Sequence, residues 1–127
     1  MPSRILLDTD VVVEYLRGSP DADAFLRSVA SERLYLSTIT VAELFSGVRD
    51  DELASLNDFL SVLEIVSVDE AIARRGGELR QRFGPSHGTG LADALIAASA
   101  ERSGCRLASF NARHYPMFED LLVPYER

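Results

Sequence analysis

The chain contains no lysine, because all 13 of its basic residues are arginine. Any mechanism that needs a lysine is therefore excluded. A single cysteine, Cys105, excludes an internal disulfide and fits a reducing cytoplasm. No apolar run approaches the roughly 20 residues that a membrane span needs. The N-terminal sequence MPSRILLDTD lacks the pattern of a signal peptide. These absences predict a cytoplasmic protein that does not cross a membrane.

Length and composition predict one globular domain over residues 1–127, with enough chain to bury a single core. Hydrophobic residues make up 46% of the sequence and charged residues 26%, which is ordinary for a globular protein. The formal net charge is −7, which taken alone argues against a nucleic-acid partner. A bound cation would change this charge balance.

Strand-like and helix-like patterns alternate along the chain. The predicted strands are residues 4–7, 34–37, 65–68 and 106–109, with a further edge strand at 121–124. The predicted helices are residues 11–17, 21–32, 41–48, 50–63, 69–83 and 91–103. In helix 21–32 we expect Ala24, Phe25, Val29 and Ala30 to face inward, and we expect residues 84–90, GPSHGTG, to form a loop. The pattern predicts an α/β, three-layer domain whose central, mostly parallel sheet of four to five short strands is flanked by helices.

Acidic residues fall where the parallel strands of such a sheet would end. Asp8 ends the first strand, Glu43 lies about one turn into the helix after the second, and Asp93 lies in the first turn of helix 91–103. Ser109 and Asn111 follow the fourth strand. Ligands gather at the carboxyl ends of parallel strands. One edge of the sheet is therefore expected to collect three carboxylates, an amide and a hydroxyl.

Each acid also has a purely structural interpretation. Asp8 would cap the following helix, Glu43 would belong to a solvated polar face, and Asp93 would complement a helix dipole, worth about 0.3–1 kcal/mol. However, the helix of Asp93 is apolar nearly all round. Burial of an unpaired carboxylate costs far more free energy than its interaction with the helix dipole contributes. No arginine lies nearby in sequence. A bound cation resolves the difficulty for all three acids, and oxygen ligands select Mg²⁺ or Mn²⁺ rather than zinc.

The remaining polar residues near these acids receive simpler assignments. Asp10 comes just as the chain turns into helix 11–17, so we expect it to be the N-cap of that helix, while Asp8 projects into the acid site. We expect His87 and His114 to be surface or loop residues, because two scattered histidines indicate no particular chemistry.

The D-x-D motif at the end of a strand also occurs in phosphatases of the haloacid dehalogenase type, where the first aspartate is the nucleophile. That family usually has a glycine soon after the second aspartate, then a lysine or arginine, then a further acidic pair. Here Val11 takes the glycine region, lysine is absent, and the acidic pair Asp50-Asp51 comes too early. A receiver domain also needs a lysine. Both alternatives are set aside.

Four segments give the chain a clear family resemblance. They are ILLDTDVVVEYLRG at residues 5–18, STITVAELFSGV at 37–48, GLADALIAASAERSGCRLAS at 90–109 and FNARHYPMF at 110–118. In this order and spacing the chain resembles a PIN domain, and in particular a VapC-type toxin ribonuclease. The resemblance covers essentially the whole chain. The combination of the first three segments is specific, whereas any one alone is a weak signal.

The resemblance implies an Mg²⁺-dependent endoribonuclease, with Mn²⁺ as an alternative ion. It assigns metal binding and catalysis to Asp8, Glu43 and Asp93, and places Asn111 where the family often has a fourth aspartate. Ser109 and Asp10 would support the site. A metal-loaded site would also let an acidic protein hold RNA, with phosphate contacts expected from Arg74, Arg75, Arg80, Arg82 and Arg113.

The resemblance also implies partners. Such toxins pair with a small VapB-type antitoxin whose C-terminal segment lies over the active site, and they form homodimers. Two competing hypotheses remain open: a PIN-like module that only binds RNA or a partner, which Asn111 favours, and a housekeeping RNA-processing nuclease.

Overall fold

The computed structural model describes residues 2–127, and within this range the core is a sheet of four parallel strands. The strands are β1 (Arg4–Leu7), β2 (Arg33–Ser37), β3 (Glu64–Val66) and β4 (Arg106–Ala108). They lie in the order β3-β2-β1-β4, and each neighbouring pair is parallel. The predicted α/β fold with a central parallel sheet is therefore confirmed.

The segments between the strands fold mainly into helices that cover both faces of the sheet. Within residues 2–127 the α-helices are α1 (Thr9–Leu16), α2 (Pro20–Ser28), α3 (Thr38–Gly47), α4 (Leu53–Ser61), α5 (Glu70–His87) and α6 (Leu91–Ser103). None of these helices is long and apolar enough to cross a membrane.

The two faces of the sheet belong to separate hydrophobic cores, because successive strand residues point to opposite faces. Leu6 of β1 and Leu107 of β4 pack into the core that α5 and α6 cover. Ile5 and Leu7 of β1 pack into the second core, which receives residues from α1, α2, α3 and α4. The alternation along β1 therefore fixes the three-layer arrangement.

Helix α6 is buried nearly all round, as its composition predicts. Its fully buried residues include Ala94, Ile96, Ala97, Ala98 and Ala100. Helix α5 approaches α6 closely at Gly76, where an added Cβ would lie only 2.6 Å from Leu95 Cδ2. The small residues of the two helices thus allow a short interhelical distance, which holds α6 in place.

The predicted loop over residues 84–90 is wrong in its first half, because α5 continues through Pro85 to His87. Gly84 lacks the Cβ that clashes with a following proline in the helical conformation. Pro85 lies in the last turn, where the loss of one N–H donor is least costly. The helix ends at Gly88, which has a φ of 68° and donates its N–H to Gly84 O at 3.0 Å. Only residues 88–90 form the loop that leads into α6.

Other predicted boundaries also change. Helix α1 begins at Thr9, and residues 50–63 form a 3₁₀ turn (Asp50–Glu52) followed by α4 rather than one helix. Helix α2 buries Ala22 and Phe25, which are three residues apart and share a face.

The predicted inward set of α2 is therefore largely wrong: Phe25 is buried, but Ala24 and Ala30 are exposed and Val29 is only half-buried. Residues 29 and 30 lie beyond the last helical residue, Ser28. The predicted edge strand at 121–124 is reduced to one bridge between Leu122 and Ala108, because Pro124 has no N–H to extend a ladder.

Candidate active site

Asp8 lies at the carboxyl end of β1 and is the N-cap of α1. Its Oδ1 accepts a hydrogen bond from Thr9 N at 2.9 Å, and its Oδ2 accepts one from Ser109 Oγ at 2.7 Å. Only 4% of the residue is exposed. The prediction that Asp10 caps this helix is therefore wrong: Asp10 lies inside the first turn, and Asp8 serves as both cap and site residue.

Burial makes the negative charge of Asp8 unfavourable. The pKa of Asp8 is raised from 3.8 to about 6, mainly by this burial and in smaller part by the nearby carboxylates of Asp93 and Asp10, while the hydrogen bonds from Ser109 and Thr9 act in the opposite direction. The charged form thus lacks a cationic partner strong enough to offset its burial. Such a carboxylate is a ready ligand for a cation.

Asp93 is held in the first turn of α6 by three neighbours. Gly90 N donates to Asp93 Oδ2 at 3.3 Å, and Tyr115 Oη donates to Asp93 Oδ1 at 3.3 Å. His114 Nδ1 lies 3.3 Å from Asp93 Oδ2. His114 is a partly exposed residue of the segment after β4, as expected, but it also contacts a site carboxylate, which the sequence did not indicate. The sequence argument that Asp93 has no evident partner missed this contact.

The buried Tyr115 hydroxyl lies beside both Asp93 and Asp8. It donates its single proton to Asp93 Oδ1 at 3.3 Å. Burial raises the pKa of this hydroxyl, and the charges of Asp8 and Asp93 raise it further. Tyr115 is 1% exposed, so the hydroxyl is fixed close to both carboxylates.

Glu43 reaches the same edge of the sheet from α3. It is exposed, and its Oε1 accepts a hydrogen bond from Thr9 Oγ1 at 2.7 Å. The Thr9 hydroxyl is also 3.0 Å from that of the buried Thr40. Because Thr9 N also donates to Asp8, this threonine links two of the predicted acids.

Asn111 and Asp10 lie beside this group. Asn111 N donates to Ser109 Oγ at 3.0 Å, and Asn111 Nδ2 donates to Asp10 Oδ2 at 3.2 Å. The structure thus brings Asp8, Asp93, Glu43, Ser109, Asn111 and Asp10 to one edge of the sheet. We refer to Asp8, Asp10, Glu43 and Asp93 as the acid cluster.

The predicted arginine contacts do not converge on the acid cluster as a set. Arg74 pairs with Glu70 at 2.8 Å along α5, and Arg75 pairs with Glu101 at 2.8 Å. Glu101 is near the C-terminal end of α6, roughly 12 Å along the helix from Asp93 at about 1.5 Å per residue. Arg80, Arg82 and Arg113 are exposed.

Three residues at the site were not singled out from the sequence: Thr9, His114 as an Asp93 neighbour, and Tyr115. Thr9 stands between the two aspartates of the D-x-D motif, and its hydroxyl was an available signal. His114 ends a short 3₁₀ turn (Ala112–His114) after β4, and Tyr115 follows it, so the segment is too short for a periodicity to predict where these side chains point.

The donor chemistry of the acid cluster fits a divalent cation that prefers oxygen ligands. Within residues 2–127, no three side chains of Asp, Glu, His or Cys are grouped closely enough to hold a metal ion by themselves. Mg²⁺ is usually bound through one or two carboxylates and keeps several waters. Asp8 and Asp93 both lie near the Tyr115 hydroxyl, and no cation among the described residues offsets the charge of Asp8, so this pair satisfies that smaller requirement.

Comparison with known proteins agrees with this geometry. A family model described as the PIN domain matches residues 5–117. Ribonuclease VapC19 from Mycobacterium tuberculosis is 42% identical over 123 residues, which cover 94% of this chain and 98% of that protein. The match therefore includes the strand ends that form the acid cluster.

Solved structures share the fold over nearly the whole chain. A toxin-antitoxin complex from Klebsiella pneumoniae has a TM-score of 0.81 at 24% identity, covering 97% of this chain and 99% of that one, and at this identity it supports the fold alone. VapBC2 from Rickettsia felis, bound to a DNA fragment from its promoter, has a TM-score of 0.76 at 26% identity and covers 94% of this chain and 96% of that one.

Proposed function

The chain belongs to the PIN-domain family, among its VapC-type members, and from this premise we propose that it is a metal-dependent endoribonuclease and the toxin of a VapBC-type toxin–antitoxin pair. The observation that carries the proposal is that Asp8 and Asp93 both lie near the buried Tyr115 hydroxyl, while Glu43 reaches the same carboxyl edge of the sheet. The chain is 42% identical to a protein named as a ribonuclease, and this identity supports RNA as the substrate.

PIN-domain VapC ribonucleases are metal-dependent, and we propose Mg²⁺ as the ion here, with Mn²⁺ as the alternative. Asp8 and Asp93 would bind it directly, and Glu43 would contact it through one of the waters that such an ion keeps. A bound divalent ion lowers the pKa of a water molecule and stabilises negative charge on a phosphate under attack. Its positive charge also answers the objection that a protein of net charge −7 should repel RNA.

The chain's own residues orient the carboxylates. Thr9 N and Ser109 Oγ hold the two oxygens of Asp8, so both are directed before any ligand binds. Tyr115 Oη and Gly90 N hold the two oxygens of Asp93. Ser109 is buried and donates to Asp8, so it serves as a positioning group and not as a nucleophile.

Asn111 supports the site from the position where the family often has an aspartate. Its amide donates to Asp10 rather than adding a negative charge. This neutral group favours one metal ion over two at the acid cluster. It is also the one feature that favours the second candidate function, a catalytically weak PIN-like module that binds RNA or a partner.

We further propose the cellular setting that the family implies: a cytoplasmic homodimer inhibited by a VapB-type antitoxin. VapBC2 from Rickettsia felis, whose fold this chain shares at 26% identity, is described as a complex bound to promoter DNA. An acid cluster at the sheet edge would attract a basic segment of an antitoxin. This electrostatic complementarity supports the proposed partner.

Expression in a bacterial host tests the toxin function. Wild-type protein produced alone should arrest growth, and Asp93→Asn should relieve the arrest, because an amide still accepts from Gly90 N but carries no charge for a cation. The variant must accumulate in soluble form to the wild-type level. Unimpaired growth with abundant soluble wild-type protein in several hosts would favour the binding module instead.

A further inference from the structure

A cavity of about 340 Å³ lies next to the acid cluster, on the side of Asn111. Its lining residues are Phe110, Asn111, Val123, Tyr125, Glu126 and Arg127. Asn111 contacts both the cavity and the acid cluster. It lines the cavity, and its amide donates to Asp10 Oδ2 at 3.2 Å. A ligand in this cavity would therefore lie directly beside a substrate at the acid cluster.

The Arg127 guanidinium is held at the wall of this cavity by three contacts. It donates to Glu14 Oε1 at 2.8 Å and to Asp10 Oδ2 at 3.3 Å. Its Cζ lies 4.2 Å from the centroid of the Phe110 ring, so the ring supports the guanidinium. The Arg127 side chain nevertheless remains 41% exposed. A planar cation is thus presented beside the cavity, supported on one side by an aromatic ring.

The aromatic part of the wall is itself fixed. Phe110 and Tyr125 pack edge to face, with ring centroids 4.9 Å apart and an interplanar angle of 71°. Aromatic rings and arginine planes are the surfaces on which unpaired bases of single-stranded nucleic acid stack. The Asn111 amide and the Glu126 carboxylate add groups that hydrogen-bond to the edge of a base.

The charge around the cavity favours a neutral base over a phosphate as the ligand. Asp10 and Glu14 pair with Arg127, which carries the single positive charge at this cavity, and Glu126 also lines it. Three carboxylates and one guanidinium leave a net negative charge, which disfavours a second anion. A neutral base that stacks on the guanidinium faces no such penalty.

We propose that Phe110, Asn111, Tyr125 and Arg127 form a nucleobase subsite, which binds one unpaired base of the RNA next to the bond that is cut. This proposal rests on the proposed ribonuclease function for its substrate. Asp10 and Glu14 are positioning residues that keep the guanidinium over Phe110. The subsite gives the protein a preference for single-stranded RNA, because only an unpaired base can enter it.

The test uses a single-stranded RNA oligonucleotide that the wild-type protein cleaves, with one nucleotide at a time near the cut replaced by an abasic nucleotide. One abasic position should raise KM for the wild type roughly tenfold, the size expected for one lost stacking contact. Arg127→Gln should raise KM on intact RNA by a similar factor, with kcat within about twofold. In the Arg127→Gln variant the same abasic position should raise KM by a clearly smaller factor than in the wild type, because the lost base and the lost guanidinium contact each other.

A matched control is Arg33→Gln. Arg33 pairs with Glu64 at 2.7 Å and lies over Tyr35 at 5.5 Å, but at the opposite edge of the sheet. Arg33→Gln removes the same charge and the same types of contact as Arg127→Gln, and KM should stay within twofold of wild type.

Arg127→Lys separates stacking from charge. It should not restore KM, because an ammonium has no planar face. Restoration by lysine would overturn the base subsite in favour of a phosphate contact.

A binding measurement separates this proposal from the proposed function. In EDTA at low salt, the affinity for fluorescein-labelled single-stranded RNA should fall with Arg127→Gln and not with Arg33→Gln. Arg127-dependent binding by a wild-type protein that cuts no RNA would refute the ribonuclease function and retain the subsite. Equal affinity of the wild type and Arg127→Gln, or abasic and Arg127 penalties that add, would overturn the subsite.

Discussion

At the scale of single residues, Asp8 has two tasks that place conflicting demands on it. As the N-cap of α1 it satisfies a backbone N–H, and as a buried member of the acid cluster it has a pKa raised to about 6 by its burial. A folded-state pKa above the unfolded value of 3.8 means that the folded chain holds the proton more tightly. The metal-free protein therefore loses stability from this residue as the pH rises from about 4 to about 6.

Asp8→Asn should remove this loss. Asparagine is as good an N-cap as aspartate, and it carries no charge to bury. In EDTA at pH 8, the variant should be more stable than the wild type by about 3 kcal/mol, the order of magnitude given by a shift of two pKa units. At pH 4 the two proteins should be nearly equal in stability, and the variant should be inactive on RNA at either pH.

Urea unfolding of both proteins at the two pH values measures the difference, with Glu119→Gln, a substitution at an exposed carboxylate, as the control. A wild type that is the more stable protein at pH 8 without metal would show that the carboxylate is not destabilising in the folded chain.

At the scale of elements, the close packing of α5 on α6 holds the helix that presents Asp93. Gly76 of α5 faces Leu95 of α6: an added Cβ would lie 2.6 Å from Leu95 Cδ2 and 3.3 Å from Leu95 Cα. The neighbouring Gly77 has nothing within 4 Å of such a Cβ. The two glycines therefore offer a matched pair of substitutions within one helix.

Gly77→Ala should stabilise the protein by about 0.5–1 kcal/mol, because alanine favours the helix over glycine. Gly76→Ala gains the same propensity but forces Leu95 to shift, and overpacking of this kind costs about 1–3 kcal/mol, so its net effect should be destabilising. Chemical denaturation of both variants measures the difference. Equal stabilisation by the two substitutions would mean that α5 and α6 do not pack as closely as described.

The individual strands and helices also show which parts of the structure could be predicted from the sequence. β1 and α6 were predictable because each has a mainly apolar stretch whose ends are marked by polar residues or glycine. The convergence of Asp8, Glu43 and Asp93 followed from one rule, that parallel strands end at the same edge. The course of α5 through Pro85 was not predictable from the turn-forming residues GPSHGTG alone, because Gly84 removes the usual conflict before proline.

The contacts of Tyr115 and His114 with Asp93 could not be predicted by rules of sequence pattern or strand geometry. These two residues follow β4 in a segment with no period, and their direction is set by tertiary packing. The choice between Asp8 and Asp10 as the N-cap depended on a helix start that shifts by two residues, which is within the usual uncertainty of helix boundaries.

At the scale of the whole molecule, a chain of net charge −7 gathers part of its negative charge at the site where a polyanion must bind. This arrangement is unfavourable for the metal-free protein and favourable once a divalent cation is held by the carboxylates. The ion is expected to bind only the folded state of the chain and therefore to raise the melting temperature of the protein. The antitoxin and a nucleobase in the cavity beside Asn111 would then approach a site that is no longer strongly negative.

The most direct test of the account is the rate of RNA cleavage by purified protein, first in EDTA and then during titration with Mg²⁺. We predict no cleavage in EDTA and recovery of cleavage as Mg²⁺ saturates the site, accompanied by a rise in melting temperature that Asp8→Asn abolishes. Cleavage that persists in EDTA in a pure sample would contradict the claim that the acid cluster works by holding a metal ion.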